Sequence, residues 1–523
     1  MDSRFHLVPA LAVTVAVFLA GCGTQTVQRA EVPAATQNRS HATLSARDLA
    51  LLNRLSWGVS PRLAQNAAGQ GMKNFIAHQL HPPADDDLPP AISMQIASFR
   101  ISRESVEQLA NQISSERRQA NMIADPEQKM AAQKVLQDDL NQLAREAGTR
   151  ALMRDLYSAN QLQELTAWFW LNHFNVFLPK NDIRLFIADY EDKAIRPHAL
   201  GKFRDLLSAT LHHPAMLRYL DNDQNAEMAI NENYAREMME LHTLGVDGGY
   251  TQKDVQELAR ILTGMGVNET VGKPQVKPAL QVQYLRHGAY EFNPNRHDYS
   301  DKIFLGHMIK GNGPPEIDEV LDILARHPST ARFISRKLAV FFVSDDPPHG
   351  LVDRMTETFR KTDGNIASVL ATLFASPEFD ASLGKKFKDP MQYILSAIRL
   401  AYGDKPIINV QPIRNWLNRM SEPLYGHETP DGYPLDQAAW AGPGAMATRF
   451  EIARVIGSSS AGLFKSDGAD MMERPAFPLI AGPLYFDSIG PTLAAITSQT
   501  LDEAISSQDW NTLFLSSPDF MHR

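Results

Sequence analysis

The densest run of side chains able to do chemistry lies at 221–247, DNDQNAEMAINENYAREMMELHTLGVD. Three chemistries compete for it. Glu232, Arg236 and Glu240 stand four apart, the spacing of a solvent-facing ladder of ion pairs worth about 0.2–0.5 kcal/mol each. Asp221, Asp223, Asn225, Glu227 and Glu232 fall at positions 1, 3, 5, 7 and 12 of an EF-hand-like calcium loop, although Ala226 stands where that loop's sharp turn wants glycine. Glu237, Glu240 and His242 offer carboxylate and imidazole ligands to a divalent transition metal. A helical di-iron site pairs Glu and His three apart, whereas His242 follows the two glutamates by five and two residues. The shell would therefore need histidines from elsewhere, with His173, His198 and His297 the candidates. A second centre is suggested at His297-Asp298 with Lys302, because an adjacent acid can fix a histidine tautomer and a lysine can meet an anionic substrate. These histidines also have structural uses: His173, in a very apolar helix, as a hydrogen-bonded core residue, and His198, after Arg196-Pro197, as a helix cap.

The chain contains no GxSxG elbow, Walker loop, HExxH or CxxC, and GSSSAG at 457–462 is only a near miss to the first of these. With 51 basic against 60 acidic residues the net charge is -9, which supplies no electrostatic footprint for nucleic acid. The single cysteine, Cys22, excludes disulfides and thiol-based metal cages. Its position is more informative. Residues 1–22 read MDSRFHLVPALAVTVAVFLAGC, with an apolar run too short to span a bilayer. Leu19-Ala20-Gly21-Cys22 resembles the lipobox of bacterial lipoproteins, in which cleavage before the cysteine leaves a lipid-modified N-terminus. That resemblance implies a signal peptide at 1–21, lipidation of Cys22 and a membrane anchor, and Gly23, a non-acidic residue after the cysteine, implies the outer membrane over the inner.

The elements that must position these groups are helical. Residues 22–44 lack apolar periodicity and read as a flexible tether, and the body spans 45–523. Leu49, Leu52 and Leu55 mark its first buried stripe. Residues 103–160 predict a helical hairpin split at Asp125-Pro126, with proline at a helix start. QLQELTAWFWLNHFNVF (161–177) is apolar nearly all round and predicts a core helix. His213-Pro214, His327-Pro328, Ser376-Pro377 and Ser517-Pro518 predict capped helix starts. Strand signals are confined to short pieces, 281–284 and 302–305. The long Pro/Gly-rich loop 421–445 is of a length that usually serves function. The fold expected is all-α, a mainly α-helical multi-helix body with at most small local β elements.

On the segment NENYAREMMELHTLGVDGGYTQKDVQELARILTG (231–264), and on LLNRLSWG (51–58), FWLNHFNVF (169–177), HPAMLRYLDN (213–222), HDYSDK (297–302), HPSTARFISRKLAVFFV (327–343) and SSPDFMHR (516–523), the chain resembles a bacterial family, domain of unknown function 1800, over roughly residues 45 to 523. TGMG at 263–266 and Ser300 depart from the family's usual TGW and glycine. The resemblance implies export and a partner, since members are often encoded beside a second, sulfatase-like family; it assigns no activity. Two functions remain open: an envelope accessory or binding protein for an exported partner, and a metal-assisted envelope enzyme built on the Glu/His centre.

Overall fold

Local capping chemistry sets the helix starts. Ser45 accepts from Asp48 N at 3.1 Å and opens the helix Ala46–Arg54, burying Leu49 and Leu52 on one side. The computed structural model describes residues 44–465 and 477–523; the leader, Cys22 and the tether up to residue 43 lie outside the described residues. Within the body, Ala42–Arg523 forms one unit, mainly helical with two small sheets.

The predicted hairpin forms as Val106–Met122 and Pro126–Tyr157. Ser105 and Gln108 make a capping box at the first start, and Asp125 accepts from Gln128 N at 2.8 Å ahead of Pro126 at the second. Leu136, Leu140, Leu143 and Ala147 then repeat at helical spacing along the buried face. All four His-Pro and Ser-Pro pairs cap helices as expected. His213 and His327 do so through ring Nδ1, which accepts from Ala215 N at 3.2 Å and from Ser329 N at 3.1 Å.

Helix Gln161–His173 runs through the core, with Phe169, Trp170 and the following Phe174 essentially unexposed and Trp168 and Phe177 partly buried. Trp168 meets Trp57 edge-on and stacks on Phe341 of helix Pro328–Phe342, both at 5.9 Å between centroids. That contact holds the two helices together and sets His173 against the second one.

The β content is small, as expected, but its placement differs. Residues 281–284 fall in and after a 3-10 turn, Pro278–Gln283, and the strand begins at Leu285. Strands β1 (Met265–Val267), β2 (Leu285–His287) and β3 (Tyr290–Phe292) form an antiparallel sheet in the order β1-β3-β2, with Met265 and Leu285 both opposite Phe292. Strands β4 (Lys302–Phe304) and β5 (His307–Ile309) make a separate hairpin. Gly264 joins the preceding helix to β1 at φ 86°, and a Cβ there would sit 3.0 Å from the Asn293 carbonyl and 3.1 Å from His297 Cβ. The close approach brings the His297 loop against the helix end.

Three stretches, Tyr190–Ile195, Met238–Thr243 and Tyr485–Ile489, wind as π-helix. The second interrupts the polar helix that carries Glu237, Glu240 and His242, so the α-helical spacing assumed for these residues does not hold there.

Candidate functional site

His173 closes the core helix at 1% exposure. Lys337 Nζ donates to its Nδ1 at 3.0 Å, which leaves Nε2 to donate to the His242 carbonyl at 3.1 Å. The ring is thereby fixed in one tautomer, and burial, then the Lys337 and His242 charges, hold its pKa well below the histidine norm. His242 itself is fully buried by the π winding, with Phe174 at 5.0 Å, His173 at 6.0 Å and Tyr234 at 6.3 Å between ring centroids. Neither of its ring nitrogens has a hydrogen-bond partner among the described residues, and burial, with the Lys337 charge behind it, pushes its pKa down to about 3. Burial lowers Lys337 to about 8, against an opposing pull from Asp431.

Glu237 and Glu240 stay at the partly buried rim. Burial raises the Glu237 pKa, and the charges of Glu240 and Asp431 add to the rise. Glu240 lies 4.0 Å from Arg236, which pairs with Glu232 at 3.0 Å, so the ion-pair ladder read at 232–240 exists at the surface. Of the candidate histidines, only His173 reaches His242. His198 lies half-buried in the 3-10 turn Arg196–His198, its pKa lowered by burial against Asp205. His297 belongs to a different centre. The transition-metal shell of Glu237, Glu240, His242, His173 and His198 therefore does not assemble, and among the described residues no group of three or more His, Cys, Asp or Glu side chains is arranged to hold a metal ion.

The calcium candidates also part company. Asp221, at φ 59°, takes Lys180 at 2.9 Å; Asp223 takes Arg218 at 2.6 Å; Asn225 is buried and donates to the Ala259 carbonyl at 2.8 Å. Glu227 is exposed, anchored by its backbone N–H on the Arg296 carbonyl, and Glu232 pairs with Arg236. Three carboxylates paired with three different cations, a buried asparagine amide and an exposed glutamate do not make a coordination sphere; with Ala226 where the calcium loop has glycine, the chain takes a short 3-10 turn, Asn222–Gln224, and an Ala226–Ala229 bridge.

The His297 centre is built, but not by its sequence neighbour. Asp298 faces Arg260, whose Nε donates to it at 2.7 Å; burial alone would raise its pKa, yet Arg260 and Ser300 hold it down to about 2. The acid on His297 is Glu316, from the first turn of helix Pro314–Arg326: its Oε1 lies 2.9 Å from Nε2, while Thr263's carbonyl lies 2.8 Å from Nδ1. Lys302 Nζ donates to Glu316 Oε2 at 2.6 Å and to the Asp298 carbonyl. The side chains of His297, Lys302 and Glu316 have no exposure. With Lys302 and Glu316 paired out of water and Asp298 paired with Arg260 at the edge, the His297–Asp298–Lys302 loop reads as a structural clasp tying the β4 hairpin to two helices.

The long loop 421–445 closes over the His173 end of the core helix. Asn172 exchanges hydrogen bonds with the Tyr433 backbone (2.9 and 2.6 Å), and Asn175 donates to the His427 and Thr429 carbonyls at 3.0 and 2.8 Å. Tyr219 adds a bond to the Glu428 carbonyl at 2.7 Å. The loop thus delivers Asp431 to the Lys337 rim. Sequence reading named the loop but missed Glu316, Lys337 and Asp431. Glu316 had one signal, its place three residues after Gly313 at a helix start, where its carboxylate accepts from the Gly313 N–H at 2.8 Å.

No curated protein matches the chain, and no solved structure does. The profile of the family described as Protein of unknown function (DUF1800) matches residues 50–522, so the chain belongs to that family.

Proposed function

We propose that this protein is an exported lipoprotein, held at the outer membrane through Cys22, that serves as an accessory binding protein for an exported partner, with a sulfatase-like protein the partner class to test first. The observation that carries the binding role is a groove of 450 Å³ beside Tyr485, Phe486, Leu501, Ile505 and Trp510. Phe486 is 65% and Ile505 93% exposed, and Phe477, Leu479 and Ile496 are exposed in the same stretch of chain. Large apolar side chains concentrated at a surface mark an interaction site, because water contact there is released on docking. At the start of the described body, Leu44 N donates to Ser488 Oγ at 3.1 Å.

The metal-assisted reading draws no support from the geometry, since its glutamates and histidines are divided between a rim, an aromatic pocket and a sealed clasp. The test is a binding titration of the full chain in detergent with a purified exported sulfatase-like protein of the same organism. Phe486→Asp and Ile505→Asp should each weaken binding by about tenfold or more, the effect of losing a buried apolar anchor, while leaving the melting temperature unchanged. Equal binding by both variants would remove the groove from the account.

A further inference from the structure

A second cavity, of 270 Å³, lies between helix Ala46–Arg54, helix Pro390–Tyr402 and the segment 489–523. Leu49, Leu400 and Phe514 give it apolar walls, and Lys388, Ser396 and Arg523 give it polar ones. Lys388 is 3% exposed. Its Nζ makes one hydrogen bond among the described residues, to Ser396 Oγ at 3.0 Å, and rests 3.8 Å from the centroid of the Phe520 ring. No carboxylate pairs with it among those residues. The charges facing it are the guanidinium groups of Arg449 and Arg523; Asp519, also on the cavity wall, is engaged by Thr497 and by Ala494 N, and His522 by the Pro518 carbonyl. Burial first, and those two cations second, hold the Lys388 amine well below the lysine norm.

A serine hydroxyl hydrogen-bonded to a buried amine whose pKa is depressed, on the wall of a cavity, is the arrangement of an activated oxygen nucleophile, with the amine in its neutral form placed to take the hydroxyl proton during attack. A third feature belongs to the same wall. Arg523 donates through Nη2 to the Phe341 carbonyl at 3.1 Å, but its buried Nε and Nη1 have no partner. Unused donors of this kind are suited to charge that develops on a substrate oxygen.

We propose that Ser396 and Lys388 form a nucleophile–base pair that hydrolyses esters of apolar carboxylic acids admitted to this cavity. Ser396 Oγ, which in the resting state donates to the Tyr393 carbonyl at 3.1 Å, bonds to the acyl carbon as its proton passes to Lys388 Nζ. The bond from that carbon to the alkoxy oxygen breaks, and the departing oxygen takes the proton from Lys388, so that the alcohol leaves and the acyl group stays on Ser396. Water then attacks the acyl carbon and gives a proton to Lys388; the bond to Oγ breaks, Oγ recovers that proton, and the carboxylic acid leaves. No metal or redox partner is needed, and the step is independent of partner binding at the Phe486 groove.

The full chain in detergent, treated with a small alkyl fluorophosphonate, tests the pair directly. Wild type should take up one phosphonyl group, located on Ser396 by peptide mass, and should hydrolyse p-nitrophenyl butyrate. Ser396→Ala should lose both. Lys388→Met, which keeps the volume and removes the buried amine, should be labelled about a hundredfold more slowly, in the range of a lost general base, with a melting temperature equal to or above wild type. The wild-type labelling rate should fall on acidification as the amine takes a proton, and should level off below pH 10.5, the ordinary lysine value. Folded wild type left unlabelled at Ser396, or Lys388→Met labelled at the wild-type rate, would overturn the proposal. If Lys388→Met does not fold, the wild-type profile decides alone: a rate that climbs tenfold per pH unit without levelling off below pH 10.5, as for an unassisted hydroxyl, overturns it as well.

Discussion

Two buried histidines show how different environments turn the same side chain to different ends. His297 faces oxygen on both ring nitrogens and shares Glu316 with Lys302. Replacing Glu316 by Gln leaves a buried ammonium without its counter-ion, so chemical denaturation should show a loss of about 3–5 kcal/mol; a loss under 1 kcal/mol would mean the clasp is not a coupled unit. Burial opposes ionisation of Glu316, but His297, Lys302 and Gly313 N together hold its pKa below the ordinary 4.5. A depressed acid stabilises the fold above its unfolded pKa, and that contribution is lost as pH falls from about 4.5 through the lower folded value. His242 is the opposite case, an imidazole among aromatic rings with no polar partner among the described residues. Its folded pKa of about 3 lies below the ordinary 6.5, so the unfolded chain binds the proton first and stability falls between pH 6.5 and about 3. His242→Phe should leave stability at pH 7.5 nearly unchanged and recover roughly 2 kcal/mol at pH 5, since each pKa unit is worth about 1.4 kcal/mol. Melts of the two proteins at both pH values check this, and equal acid sensitivity would show that the ring is hydrated.

At the scale of elements, most of the architecture is legible because it rests on short-range physics. The stripe Leu136–Leu140–Leu143–Ala147, the break at Asp125-Pro126 and the four Pro-started caps each follow from periodicity or capping within a few residues. The strand expected at 281–284 moved to 285 because Pro278 opens a 3-10 turn that consumes the preceding residues. The π segment Met238–Thr243 has no residue signature, being a backbone accommodation to packing, and it is what takes His242 off the expected helix face and into the core. The candidate site was legible by residue type and not by partner. His173 reaching the His242 carbonyl follows from the need of a buried ring nitrogen for a polar partner, whereas Glu316, Lys337 and Asp431 come from distant elements, each sitting in a sequence context of ordinary amphipathic helix or loop. The loop 421–445 depends on one close approach: a Cβ at Gly432, φ 77°, would fall 2.1 Å from the Asn172 carbonyl. Gly432→Ala should therefore unseat the loop without unfolding the body, and limited proteolysis should cut within 425–440 at least tenfold faster while the melting transition shifts little. Unchanged cleavage would show that the loop is held without the Asn172 contact.

At the scale of the whole molecule, the proposed function rests on two features, the lipid proposed at Cys22 and the apolar groove beside Phe486. No helix among the described residues is long and apolar enough to cross a membrane; the membrane attachment we propose is the lipid on Cys22. Cys22→Ala should move the protein from the membrane pellet to the soluble fraction, as one acyl-bearing terminus accounts for the attachment; retention in the pellet with unchanged detergent sensitivity would contradict lipid anchoring. The central claim is that the anchored body binds an exported partner. Its most direct test is co-purification of the sulfatase-like protein with tagged full-length chain from detergent-solubilised membranes, quantified beside Phe486→Asp. The account predicts near-stoichiometric partner on the wild type and little on the variant; a wild-type chain that emerges without the partner would contradict it.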